Sequence, residues 1–229
     1  MAKKQEKDKT EGGIVAVEEA LSKTERFIEK NQKLLTIIIG VIVVVVLIFF
    51  GFKRFYMAPR EQEAKEQMFM AQQYFEMDSL NLALNGDGMY PGFLRIIDDY
   101  GMTKGANLSK YYTGICYLKM GNYEKAIDYL KSFKGKDQVI GPMAKGAIGD
   151  AYIELNQPSD AAGYYIEAAD LNENEFTTPL FLMKAGWTYE IMNDYSNAVS
   201  TYERIKYKFP TSNEAREIDK YIARAKGMM

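Results

Sequence analysis

A pattern that returns at near-constant spacing limits a fold more tightly than any overall property of the chain, because each copy must make the same unit and each unit must pack on the next. Gly114, Tyr117 and Ala126 recur as Gly149, Tyr152 and Ala161, and again as Gly186, Tyr189 and Ala198. The copies start 35 and 37 residues apart, and this Gly-x2-Tyr-x8-Ala spacing occurs nowhere else in the chain. Four residues after each Ala stands a large side chain, Leu130, Tyr165 or Tyr202. Between Tyr and Ala lie the turn-prone stretches MGNYEK, LNQPSD and MNDYSN, which break one helix from the next. Small residues at the Gly and Ala positions let two antiparallel helices approach closely. One such hairpin cannot bury its apolar face alone, so neighbours must stack into an all-α solenoid.

These residues resemble the tetratricopeptide repeat, in which a small residue, a Tyr three later, an Ala nine after that, a Leu or aromatic and a closing Pro mark each hairpin. Pro210 closes the third copy as that pattern asks. Lys110 and Lys145 depart from it where a large apolar residue is usual, and 172–178 adds residues between the second and third units. The resemblance covers about Asn107 to Pro210 and implies repeats at about 107–140, 142–175 and 179–212. Upstream, Met68, Ala71, Tyr74 and Phe75, then Phe93, Leu94, Ile96 and Ile97, suggest a degenerate first hairpin over 62–100, with Leu84 to Pro91 as an extended connection. Downstream, Thr211 or Ser212 caps a last helix, 212–226, striped by Ile218, Tyr221, Ile222 and Ala225. The repeat domain as a whole is expected over 60–229.

Ahead of it, Leu34 to Phe52 reads LLTIIIGVIVVVVLIFFGF, 19 residues without a charge, sixteen of them Leu, Ile, Val or Phe. At about 1.5 Å per helical residue the run reaches roughly 28 Å, close to a hydrocarbon core. A helix apolar on every face needs lipid or a large protein around it, and in a chain of this length a retained single-pass transmembrane helix is expected, with membrane lipid as its surroundings. The 33 residues ahead of the run and Lys53-Arg54 after it do not fit a cleaved signal peptide. Eight Lys and Arg precede the span, against Lys53, Arg54, Arg60 and Lys65 after it, which favours a cytoplasmic N-terminus and a translocated repeat domain. The tail, 1–33, divides at Gly12-Gly13 into a charged disordered run and a short amphipathic helix with Val17, Leu21, Thr24 and Ile28 on one face.

Composition narrows the function. The chain has no histidine and one cysteine, Cys116, which removes the commonest general base and metal ligand and any intrachain disulfide or Cys-rich metal cluster. Lys and Arg total 29 against 31 acidic residues, with no dense basic face for nucleic acid. The expectation is a protein that is not an enzyme and takes no cofactor, metal, nucleic acid or small-molecule substrate. Gly86-Asp87-Gly88 lacks the spaced oxygen ligands of a calcium loop and reads as a turn. Adjacent helical residues such as Asp98 and Asp99 point about 100 degrees apart and do not converge on one substrate. Cys116 has no histidine to activate it and is expected to pack.

In the tetratricopeptide family the first helix of each hairpin lines the binding groove. Carried over residue by residue, that implies a partner-binding groove of Leu108, Tyr111, Ile115 and Leu118 in the first copy, Met143, Asp150 and Ile153 in the second, and Leu180, Met183, Trp187 and Ile191 in the third. Trp187, the one tryptophan, is the strongest candidate for an exposed anchor. The basic and Asn positions with which some relatives clamp a C-terminal carboxylate hold Tyr111, Ile115, Gly146, Asp150, Met183 and Trp187 instead. Repeat packing is assigned to Gly114, Tyr117, Ala126, Gly149, Tyr152, Ala161, Gly186, Tyr189, Ala198 and Pro210.

The order of tail, anchor and repeats, with Val17-Glu18-Glu19-Ala20 and Arg26-Phe27-Ile28-Glu29-Lys30-Asn31 leading into the anchor, resembles the single-pass ancillary subunit of the bacterial Sec translocon. That resemblance implies an inner-membrane protein with a periplasmic repeat domain. Its partners would be translocon subunits, a membrane-anchored periplasmic chaperone and unfolded clients. The alternatives are a scaffold for another envelope assembly or secretion machine, and a cytosol-facing targeting receptor if the topology is inverted.

Overall fold

The computed structural model describes the backbone of residues 2–229 and the side chains of residues 27–229. The chain forms two compact units, residues 1–58 and 59–229. In the first, helix α1 (Ala2–Gly51) runs on through Gly12-Gly13, where the sequence pattern had placed a division, and a π-helical turn, Phe52–Met57, follows it. Side chains Val17, Leu21 and Thr24 of the expected amphipathic face lie outside the described ones. Leu34 to Phe52 falls within a stretch long and apolar enough to cross a membrane, with an 18-residue window of mean hydropathy 3.3 and none of that window buried.

The second unit is all helix apart from one isolated bridge, Gly86 with Pro91. Helices α5 (Lys104–Lys119) and α6 (Tyr123–Ser132), α7 (Ile140–Glu154) and α8 (Pro158–Leu171), and α9 (Thr177–Ile191) and α10 (Tyr195–Lys208) are the three hairpins read from the repeated pattern. Each leading helix starts two or three residues before the position expected.

The glycine of each copy lies against the large residue of the second helix. A Cβ added to Gly114 would lie 2.5 Å from Leu130 Cγ, one on Gly149 2.6 Å from Tyr165 Cε1, and one on Gly186 2.2 Å from Tyr202 Cε1. Ala126, Ala161 and Ala198 are fully buried across the same contacts. Tyr117 and Tyr152 stack on Tyr129 and Tyr164 of their partner helices, with ring centroids 5.6 and 5.4 Å apart. Tyr189 packs half-buried against the largest core cluster.

Every hairpin bends through one turn geometry. Gly121, Asn156 and Asn193 take the left-handed conformation at φ 77°, 58° and 57°, which Gly and Asn tolerate best. The following amide then donates back to the carbonyl of the repeat tyrosine, Asn122 to Tyr117, Gln157 to Tyr152 and Asp194 to Tyr189, at 2.8 to 2.9 Å.

The same turn occurs a fourth time, earlier in the chain. Asp78 has φ 57°, and Ser79 donates to the carbonyl of Tyr74 at 2.8 Å. Helix α2 (Ala58–Glu76) therefore bends at 77–79 into α3 (Leu80–Asn85), so residues 84–85 are helical and not part of an extended connection. Loop 86–92 then interrupts the second helix, which resumes as α4 (Phe93–Tyr100). Asp87 holds the loop by accepting from Met89 N, Tyr90 N and the Tyr74 hydroxyl at 2.7 to 2.9 Å. The chain comes back against the end of α3, where a Cβ on Gly92 would lie 2.2 Å from the Leu84 carbonyl oxygen. Ala71, Ala83, Leu84, Phe93 and Ile96 are buried in one cluster with Cys116.

At the far end, α11 (Ile218–Gly227) buries Ile218, Ile222 and Ala225 against the last hairpin. Ser212, itself buried, caps the preceding turn by accepting from Ala215 N at 3.2 Å. Pro210 is exposed just past the end of α10, so it ends that helix and takes no part in the packing assigned to it; Phe209 beside it is buried instead.

Candidate functional site

The leading helices α5, α7 and α9 carry the candidate groove residues, and their exposure follows from what each packs against. Leu108 is half-buried beside the first cluster, while Tyr111, Ile115 and Leu118 lean on the cluster formed by Leu130, Ala144, Ile148 and Ala151. Burial also raises the Tyr111 phenol above its ordinary range. Met143, Ile153 and Leu180 are half-buried against the C-terminal cluster. Met183 belongs to the core, 6 % exposed beside Phe181 and Leu182, so it is removed from the groove. Trp187 and Ile191, one turn apart on α9, stand out at 43 % and 66 % exposed.

Two polar chains edge this face. In one, Asp150 accepts the Tyr165 hydroxyl at 2.6 Å and the Lys184 ammonium at 2.7 and 2.9 Å, which ties α7 to α8 and α9. Asp150 therefore already has its cationic partner. In the other, Glu190 accepts the Tyr202 hydroxyl at 3.0 Å and Arg224 at 2.6 Å, which ties α9 to α10 and α11. Burial first, and the neighbouring carboxylate second, push both phenols far above the usual tyrosine range. The Arg224 guanidinium lies 4.9 Å over the Tyr221 ring, and Tyr221 stands 6.2 Å from Trp187.

Trp187, Ile191, Tyr221 and Arg224 thus bring an apolar and aromatic surface to one end of the leading-helix face. A second opening of about 310 Å³ is lined by Leu118, Tyr123, Asp150, Ile153, Glu154 and Tyr165. Tyr221 and Arg224 were not among the sequence candidates, because they lie on the cap outside the repeated pattern.

The remaining sequence candidates take structural roles. The Asp87 carboxyl is held below the usual range by the hydrogen bonds that close its loop, and Asp99 pairs with Arg95 on the surface. Cys116 is fully buried, and that burial pushes its thiol up to about 12. Among the described residues no group of three His, Cys, Asp or Glu is placed to hold a metal ion.

A helical-hairpin solenoid with an exposed leading-helix face defines a class of protein built to hold other proteins. The tetratricopeptide repeat family model matches residues 109–137 and 181–212, so the chain carries tetratricopeptide repeats, a fold that typically serves as a non-catalytic scaffold for protein-protein interaction. The unmatched middle hairpin shares the glycine contact, the turn and the tyrosine carbonyl bond of its neighbours. Among solved structures, the chain is similar to a variant of a protein from Podosopora anserina described as a kinesin light chain with nearly identical tetratricopeptide-like repeats. The identity is 12 % and the TM-score 0.55, over 76 % of this chain and 89 % of that one. At that identity the likeness concerns the fold. No curated protein matches the chain.

Proposed function

We propose that this chain is a single-pass membrane protein whose repeat domain holds other proteins, as an ancillary subunit beside the bacterial Sec translocon. In this reading the N-terminus is cytoplasmic, and the domain is periplasmic, receiving a membrane-anchored chaperone and emerging clients. The observation that carries the binding function is the exposed Trp187 and Ile191 beside Tyr221, on the face the fold leaves open. A large aromatic kept at the surface in spite of its apolar area is the side chain most often found anchoring an interface. The unburied apolar side chains of Leu34 to Phe52 support the anchor.

Crosslinking in native membranes, followed by identification of the bound proteins, tests the assignment. Recovery of channel subunits is expected, and their absence would move the reading to a scaffold for another envelope assembly. Trp187→Ala is expected to weaken chaperone or client binding by about 2 kcal/mol, roughly thirtyfold. Association with the channel should persist, because the anchor and tail supply it.

A further inference from the structure

The opening of about 310 Å³ on the leading-helix face combines apolar sides with an unmatched charge. Leu118 near the end of α5 and Ile153 near the end of α7 are half-buried and supply the sides. Asp150 and Glu154 are one turn apart on α7, so both carboxylates face the same space. Asp150 is matched by the Lys184 ammonium at 2.7 and 2.9 Å. Glu154 is exposed, accepts the Tyr123 hydroxyl at 3.2 Å and, among the described residues, has no cation at ion-pair distance. The opening therefore holds one negative charge in excess.

Its surroundings do not cancel that charge. At the hairpin turns Lys119 is paired with Asp78, Arg224 with Glu190 and Lys226 with Glu203. Glu124, Asp160 and Asp194 stand at the same turns without an ion pair, against one such cation, Lys125, which lies 5.2 Å over the Tyr117 ring. On α7 Lys145 is paired with Glu167. The unpaired cations of α5, Lys104 and Lys110, lie two turns or more back from Leu118, about 12 Å or further along the helix.

A free carboxylate beside a phenol oxygen, at the end of an apolar slot, matches a side chain with a long aliphatic stem and a cationic head. We propose that this opening takes a lysine or arginine of the polypeptide segment bound on the leading-helix face, its stem between Leu118 and Ile153 and its head at Glu154 and the Tyr123 hydroxyl. The inference rests on the binding reading above and names the chemistry of the segment held. The fold also sets a spacing. The opening is walled by α5 and α7 and the Trp187 surface by α9 and α11, two helix packings apart, about 16 to 20 Å at 8 to 10 Å each. An extended segment covers that distance in about five or six residues. The preferred segment thus carries its basic residue about five or six positions from a large apolar one.

The test selects binders from a random peptide library on the full chain in detergent, with peptides of about twelve residues, long enough when extended to reach both places. Enrichment of Lys or Arg about five or six positions from Trp, Phe or Leu is expected. The selected peptides should bind Glu154→Gln about fivefold more weakly, the worth of a well-placed exposed ion pair. Glu154→Lys, with its fold checked by circular dichroism, should select Asp or Glu in place of the basic residue. Peptides that need Trp187 yet show no basic preference, or that bind Glu154→Gln as tightly as the parent, overturn the proposal and leave the binding reading standing. A parent chain that enriches no peptide overturns both.

Discussion

Gly186→Ala adds one methyl group, and the structure fixes what it costs. The new Cβ would lie 2.2 Å from Cε1 of Tyr202 and 2.6 Å from Cζ, so the ring must retreat by more than an ångström to reach ordinary contact. It has nowhere to go. Tyr202 is fully buried, its hydroxyl is bonded to Glu190 at 3.0 Å, and the Tyr221 ring stands 5.7 Å away. Forcing a group into so filled a site typically costs about 1 to 3 kcal/mol, and occasionally more. Replacing Gly by Ala inside a helix returns about 1 kcal/mol. With the overpacking at its upper end, the net effect is a loss of about 2 kcal/mol. Gly163→Ala is the internal control, because nothing lies within 4 Å of a Cβ there and only the helix gain applies. Urea unfolding of the two variants and the parent should therefore move the midpoints in opposite directions, down for Gly186→Ala and up for Gly163→Ala. A midpoint for Gly186→Ala at or above the parent would refute the close approach on which the repeat packing rests.

Cys116, with its thiol pushed up to about 12 by complete burial, should resist iodoacetamide at neutral pH in the native protein and react only on unfolding, measured by mass shift. Tyr165 and Tyr202 have phenols raised above their unfolded range, so the folded state favours their neutral form. Their contribution is complete below about pH 10 and declines as pH rises past the unfolded tyrosine value. A Tyr165→Phe, Tyr202→Phe double variant should accordingly lose stability less steeply than the parent above that pH in urea titrations.

How much of this could be read from residues alone depends on where the cause of each feature lies. The three hairpins were legible because their causes are local: a glycine facing a large side chain, an alanine across from it, and a turn that accepts a left-handed residue. The first hairpin has the same spacing, Ala71-x2-Tyr74-x8-Ala83, but begins with Ala where the others have Gly. A search for any small residue there would have found it and placed the bend at Asp78. The loop at 86–92 hid the rest by splitting the second helix.

Groove exposure was less legible, because it is decided by neighbouring helices. Met183 and Trp187 are spaced as one helical face, yet one lies in the C-terminal core cluster while the other emerges beside the cap. Asp150 meets its cation only once α9 is laid against α7, and nothing in the pattern marks Lys184 as that partner.

The interruption between α3 and α4 has a practical consequence. The loop closes on itself through the Gly86 and Pro91 bridge, and the chain leaves it close to where it entered, at the Leu84 carbonyl. Added length at the exposed Gly88, where a Cβ would meet nothing within 4 Å, is therefore spent outside the helical register. An epitope tag or small reporter could be spliced in there, giving the domain an internal handle that leaves the termini, the repeat phase and the Trp187 surface untouched.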